Sequence, residues 1–192
     1  MELARTFIAF ELPEHVQREL GDFTHSLFQR SRLRIRWIPP QNIHLTVKFL
    51  GDTDPAEFSK ITSLLEIFAV KCPVTQVASN RIGAFPNLNH VRVIWLGLSV
   101  PDTLTHLIRE FDQSLCNMGF IKEKRGFTPH LTLGRVSSSL PINDMNQISA
   151  FLRGVVPPKI EPFDLDSITF FKSELRPTGA EYSRINRVRL AR

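Results

Sequence analysis

An α+β fold built from two similar halves is predicted by three features of the sequence. First, His44–Leu45–Thr46–Val47 recurs as His130–Leu131–Thr132–Leu133. Each copy lies in a bounded, β-branched apolar run, residues 43–50 and 131–136, that reads as a strand. Second, the 86 residues between the copies also carry the strand-like run 5–12 onto 91–98, and Pro55 onto Pro141, each proline at a helix start. Third, helical periodicity gives both halves the same order: strand, helix, His-x-Thr strand, helix.

The chain has 192 residues, 42% of them hydrophobic and 15 of them Phe, enough to bury a core as a single domain of two lobes. Residues 1–12 hold only a short apolar group and no cleavage pattern, and no run approaches the length of a membrane span. A cytoplasmic, monomeric chain without membrane contact is therefore expected. Cys72 and Cys116 stand alone, as reduced thiols do, rather than in a disulfide or zinc pattern. The net charge of +5 and the isoelectric point near 9.6 favour an anionic partner, although a charge of this size is often only a solvated surface.

Residues 5–12 alternate as a buried strand. Pro13 and Glu14 then open a helix with Val16, Leu20, Phe23 and Leu27 on one face and His15 and His25 off it, at the surface. Arg30, Arg32, Arg34 and Arg36 are spaced by two and on a strand would form a basic row. A solvated edge is the plain reading of that row, and a ribbon tracking phosphates the functional one. Residues 39–42 turn the chain into the first motif, which Gly51 ends. Asp54 to Glu57 read as a helix cap, followed by an apolar stripe of Phe58, Ile61, Leu65 and Phe68. Residues 72–85 read as a strand, 84–90 as a loop carrying a solvent-facing His90, and 91–98 as a strand. Residues 101–118 give the clearest helix, with Leu104, Ile108, Phe111, Leu115 and Met118 on one face, His106 off it and Gly119 as the stop. Residues 120–127 form a basic loop or short strand with Lys122, Lys124 and Arg125. Pro129 places His130 at the start of its strand, near an opening. A weaker helix over 141–152 and a proline-punctuated stretch over 155–162 precede two closing strands, 163–175 and 181–190, about a turn at 176–179.

Side chains alternate on a strand, so His44 and Thr46 share one face, as do His130 and Thr132. A lone His-x-Thr is usually the satisfied polar face of an ordinary strand. Two copies brought together set two imidazoles and two hydroxyls around one point, an acid-base pair with anion-binding donors. The sequence has no glycine-rich phosphate loop, no His-Glu-x-x-His and no defensible Ser/His/Asp set. A metal held by the two histidines would lack further ligands, because no carboxylate or Cys recurs with the motif. No metal and no cofactor are expected.

Residues 36–51, the Phe85–Pro86 pair with residues 92–95, residues 127–135, and residues 173–175 with Gly179 and Tyr182 together resemble the RNA 2′,3′-cyclic phosphodiesterases of the LigT-like two-histidine phosphoesterase superfamily. The resemblance spans both halves. It implies a bilobal α+β fold in which two antiparallel sheets face a central cleft with helices outside. It also implies metal-independent hydrolysis of an RNA or nucleotide 2′,3′-cyclic phosphate to a 2′-phosphate, with His44 as proton donor to the 3′ oxygen and His130 as proton acceptor. Thr46, Thr132 and Arg135 would contact the phosphate. Partners would be RNA ends carrying the cyclic phosphate, or small cyclic nucleotides. The alternatives are RNA-end binding without turnover, 2′,5′ RNA ligation, cleavage of another 2′-linked nucleotide, and a non-catalytic scaffold. Strict alternation sets Arg135 with Leu131 and Leu133 on the core face, so its role requires a bulge or a strand end at Gly134.

Overall fold

The computed structural model of the chain describes residues 2–123, 126–177 and 179–192. Lys124, Arg125 and Thr178, parts of the expected basic loop and closing turn, lie outside the described residues. The elements are β1 (Ala4–Glu11), α1 (Glu14–Ser31), β2 (Arg36–Trp37), β3 (His44–Thr53), α2 (Phe58–Lys71), β4 (Thr75–Asn87), β5 (His90–Ser99), α3 (Asp102–Asn117), β6 (His130–Arg135), α4 (Ile142–Arg153), β7 (Phe163–Leu165), β8 (Ser167–Arg176) and β9 (Gly179–Arg189).

The apolar stripe of α1 buries Val16, Leu20 and Leu27, and the helix runs on to Ser31, where Arg32 takes a left-handed cap with φ 53°. The Arg32 N–H closes that turn on the Phe28 carbonyl at 2.9 Å. This dissolves the basic row expected of residues 30–36. Arg30 belongs to the last helical turn, Arg32 is the cap, Arg34 lies 3.8 Å from Asp144, and only Arg36 is on a strand. Helical burial of Leu27 decided the conformation, and a spacing of two among charged residues carried no weight against it.

The stretch 84–90, expected as a loop, is a tight hairpin: β4 extends to Asn87 and β5 begins at His90. The Asn87 side-chain oxygen accepts from the N–H groups of Asn89 (2.9 Å) and His90 (3.1 Å), a local turn that mimics backbone pairing. Pro86 is tolerated because the ladder slips there, from Phe85 opposite Val93 to Pro86 opposite Val91. The apolar run 163–175 is likewise two strands, broken at Asp166.

Among the described residues nine strands form one antiparallel sheet in the order β7-β4-β5-β6-β3-β1-β8-β9, with β2 added against β6. Strand β7 lies at one end of this order and β8 next to the other, yet only Asp166 separates them in the chain. That short link draws the ends together, so the sheet curls strongly into a half-barrel. The two expected sheets are the two wings of this curled sheet, joined at its middle where Leu45 of β3 pairs with Leu131 of β6. The 86-residue offset carries β1 onto β5, β3 onto β6, α1 onto α3 and α2 onto α4. It carries β4 onto the β7–β8 run, and here the halves exchange partners: β4 pairs with β5, whereas β8 pairs with β1.

The helices cover one face. Ile8, Phe10, Leu45, Leu96 and Leu131 pack with Leu20, Leu65, Ile108 and Leu115 in the main core, while Ile148 and Leu152 of α4 pack with Ile94 and Ala84. Lys48 points into the helical side as well, where its ammonium pairs with Asp112 of α3 and donates to the Ile121 carbonyl at 2.5 Å. The opposite, concave face carries Phe7, Ala9 and Phe171 with Tyr182 against them.

Candidate active site

Two bulges shape the concave face. In the β1–β3 ladder Ile8 opposes Lys48 and the next residue, Ala9, opposes Thr46, which leaves Val47 extra. In the β5–β6 ladder Ile94 opposes Gly134 and Trp95 opposes Thr132, which leaves Leu133 extra. Val47 and Leu133 are themselves 86 residues apart, each directly after the motif threonine. A bulge restarts the alternation one residue later. Gly134 therefore turns to the core, where an added Cβ would lie 2.9 Å from Ile35, and Arg135, opposite Val93, returns to the face of His130 and Thr132. Leu131 and Leu133 are buried whereas Arg135 is exposed. In the first half the same bulge sends Lys48 inward and keeps Phe49, 86 residues before Arg135, on the concave face beside Phe7.

Each histidine is pinned by the carbonyl two residues before it. His44 Nδ1 donates to the Asn42 oxygen at 2.8 Å, and His130 Nδ1 donates to the Thr128 oxygen at 2.7 Å. A carbonyl only accepts, so Nδ1 carries the proton and Nε2 is left as the atom that can take or give one. Aromatic walls hold the rings. His44 stacks on Phe7 with centroids 4.8 Å apart and meets Tyr182 edge-on at 5.4 Å, and His130 meets Phe85 edge-on at 4.9 Å. Trp95 backs this second wall by lying flat across Gly83, where an added Cβ would be 2.2 Å from its ring. Only glycine admits the indole there.

Burial is the main reason that the His44 pKa is pushed down to about 4; the charges of Arg135 and His130 add to it, while the Asn42 bond and Glu11 oppose it. His130 is also lowered, first by burial, with Arg135 adding and the Thr128 bond opposing. Arg135 thus acts on both rings. Between about pH 4 and the ordinary histidine value near 6.5, the unfolded chain binds more protons at position 44 than the folded chain does. Stability therefore falls as pH is lowered through that window, and above it this group has no effect. A His44→Asn protein is expected to lose fewer degrees of Tm than the parent between pH 7 and pH 5. Equal losses in the two proteins would contradict a His44 held neutral.

Several residues at this site carried no role in the sequence reading. Glu11 lies opposite His44 in the ladder and accepts from Arg184 at 2.6 and 3.0 Å and from the Thr169 hydroxyl at 2.6 Å. Burial pushes its pKa up, but the bonds from Arg184 and Thr169 and the charges of Arg184 and Arg187 outweigh this, so it is lowered overall and Glu11 stays a carboxylate. Beside His44 is a cavity of about 430 Å³, lined by Glu11, Asn42, Phe171, Tyr182 and Arg184 among others. The signal for the aromatic walls lay in the duplication, since the 86-residue offset lays Phe85 onto Phe171 and each approaches a motif histidine. His15, His25, His90 and His106 are all exposed, His106 beside Glu110 at 3.2 Å, as surface residues should be.

A half-barrel that presents two pinned imidazoles, two threonines and an arginine on one concave face has the groups needed to hold and cleave a phosphoester. Comparisons with known proteins identify the family. The LigT-like phosphoesterase family model matches residues 10–95 and 96–182, stretches that begin 86 residues apart. An RNA 2′,3′-cyclic phosphodiesterase of Methanocaldococcus jannaschii is 33% identical over 179 residues, covering 93% of this chain and 96% of the relative. One from Thermotoga maritima is 30% identical over 178 residues, 93% and 91% of the two chains. Among solved structures, E. coli LigT superposes with a TM-score of 0.77 at 22% identity over all of both chains, and a Thermus thermophilus protein with 0.77 at 24% over 97% of each. The chain belongs to the LigT-like phosphoesterase family and is a hydrolase.

Proposed function

We propose that this protein hydrolyses 2′,3′-cyclic phosphates at RNA ends or on small nucleotides to 2′-phosphates, without a metal, in a single domain whose two lobes each supply half of the site. The observation that carries this reading is the pair of Nδ1-pinned histidines on one concave face with Arg135 acting on both. The names of the relatives support the substrate class. His130 Nε2 takes a proton from water as its oxygen attacks phosphorus. His44 Nε2 gives a proton to the departing 3′ oxygen as the P–O3′ bond breaks. Thr46, Thr132 and Arg135 donate to the phosphoryl oxygens as charge shifts onto them. The free site disfavours a protonated His44. A bound phosphodiester offsets the charge of Arg135 and attracts the imidazolium, which works against the burial that depresses His44.

The donor set supports the metal-free route: imidazole, hydroxyl and guanidinium face the site, the Glu11 carboxylate beside His44 is engaged by Arg184 and Thr169, and among the described residues no three His, Cys, Asp or Glu side chains converge as metal ligands. Turnover of a 2′,3′-cyclic mononucleotide should survive exhaustive chelation and yield the 2′-phosphate. Activity that is abolished by chelator and restored by one divalent ion would reject the route, and RNA binding without any turnover would reject the enzyme reading altogether.

A further inference from the structure

Arg36 and Arg135 stand directly opposite one another across β2 and β6. The neighbouring residue Trp37 lies over Gly134 on the core side, so Arg36 points with Arg135 to the concave face. Like charges directly opposite on adjacent strands destabilise a sheet, and acids usually relieve them. Around this site acids do so elsewhere: Arg34 has Asp144, Arg176 has Glu174 and Glu181, and Arg184 and Arg187 share Glu11. Arg36 and Arg135 are both exposed, and neither has an acid within salt-bridge distance among the described residues.

Resting on the phosphodiesterase reading, in which Arg135 takes the scissile phosphate, we propose that Arg36 holds a second phosphate, the internucleotide phosphate one nucleotide upstream. The preferred substrate is then the end of an RNA strand rather than a mononucleotide. Paired residues on antiparallel strands have Cα atoms about 4.5–5.5 Å apart, and each guanidinium rides on a long flexible stem, so the two side chains can spread to grip neighbouring phosphates of one strand. The anionic backbone supplies the charge that the cross-strand pair lacks. Phosphate contacts of this kind position a strand without reading its bases.

The test compares kcat/KM for a dinucleotide ending in a 2′,3′-cyclic phosphate with that for the matching mononucleotide. In Arg36→Gln the dinucleotide-to-mononucleotide ratio should fall about tenfold or more, the loss of one charge-assisted contact, and Arg36→Lys should keep part of it. For a longer single-stranded RNA ending in the cyclic phosphate, the salt slope of binding should shrink by about 0.7, as expected for one fewer phosphate contact on a single strand. Tm should hold or rise in Arg36→Gln, because a like-charge pair has been relieved; a purely structural arginine would lower it. A ratio unchanged in Arg36→Gln, or a parallel fall on both substrates, overturns the second subsite while leaving the hydrolase intact. A parent protein that turns over neither substrate refutes the hydrolase reading and this inference with it.

Discussion

His44→Ala and His130→Ala should each lower turnover of a 2′,3′-cyclic nucleotide by roughly 10²–10⁴, the usual contribution of a positioned proton-transfer group. Thr46→Val or Thr132→Val removes one donor to a charged oxygen and should cost about 1.5–3 kcal/mol, roughly 10- to 150-fold. The histidine losses should not come from unfolding, since both rings lie on the concave face outside the main core. Near-normal turnover in either folded histidine variant would move the site elsewhere. The proposed roles differ and can be separated. An aryl ester of a 3′-deoxynucleoside 2′-phosphate, whose phenolate departs without a proton and which has no 3′-hydroxyl to displace it, makes the acid dispensable but still requires an activated water. On that substrate His44→Ala should recover much of its lost rate and His130→Ala little. Selective rescue of His130→Ala would reverse the assignment, a live outcome because the structure pins the two rings alike and burial depresses both.

Lys48→Met should destabilise the fold by about 3–5 kcal/mol, a large share of the roughly 5–15 kcal/mol that holds a domain together. The Lys48 side chain is 4% exposed and that of Asp112 17%, so removing the ammonium strands a carboxylate that water reaches poorly. The Ile121 carbonyl loses its donor as well. Asp112→Leu leaves the more deeply buried charge unpaired and should be at least as damaging. The double variant should be far more stable than the sum of the singles implies, because a buried ion pair replaced on both sides by apolar groups loses little. Urea unfolding at pH 7 reads all three. Additive losses would show that the two side chains contribute independently. Folded Lys48→Met should retain its catalytic rate, since Lys48 and the motif residues occupy opposite faces of β3.

The duplication was legible because its signals are local. Period-two alternation and a fixed offset survive in one dimension, so both motifs, both strand faces and the four helices could be placed from residue order. What stayed hidden depends on partners. A bulge is a relation between two strands, and nothing in residues 131–136 announces that Leu133 will lack a cross-strand mate. Arg135 therefore looked misdirected until the ladder was known. The break at Asp166 was invisible for a similar reason, since an apolar run reads as one strand even when its two ends pair at opposite margins of a sheet. The false basic row shows the reverse error, in which a charge spacing was read as a strand where the buried stripe of α1 extended the helix through it. Phe7, Phe85 and Tyr182 enclose the imidazoles from three strands remote in sequence; the offset that lays Phe85 onto Phe171 marks the walls in one dimension, but which ring each residue meets is set by strand pairing.

The exchange of strands between the halves constrains the order in which the chain can acquire structure as it is made. When β1 and β3 leave the ribosome they can pair, but the other side of β1 stays bare until residues 167–176 emerge. At about 5–20 residues per second that delay is roughly 8–30 s, during which the hydrogen-bonding edge beside Phe7 and Ala9 is open to any other extended segment. The duplicated second half meets no such wait, because β4 has been synthesised before β5 and can pair with it at once. Two halves of common design therefore mature at different times, and the half that is synthesised first is the last to be completed.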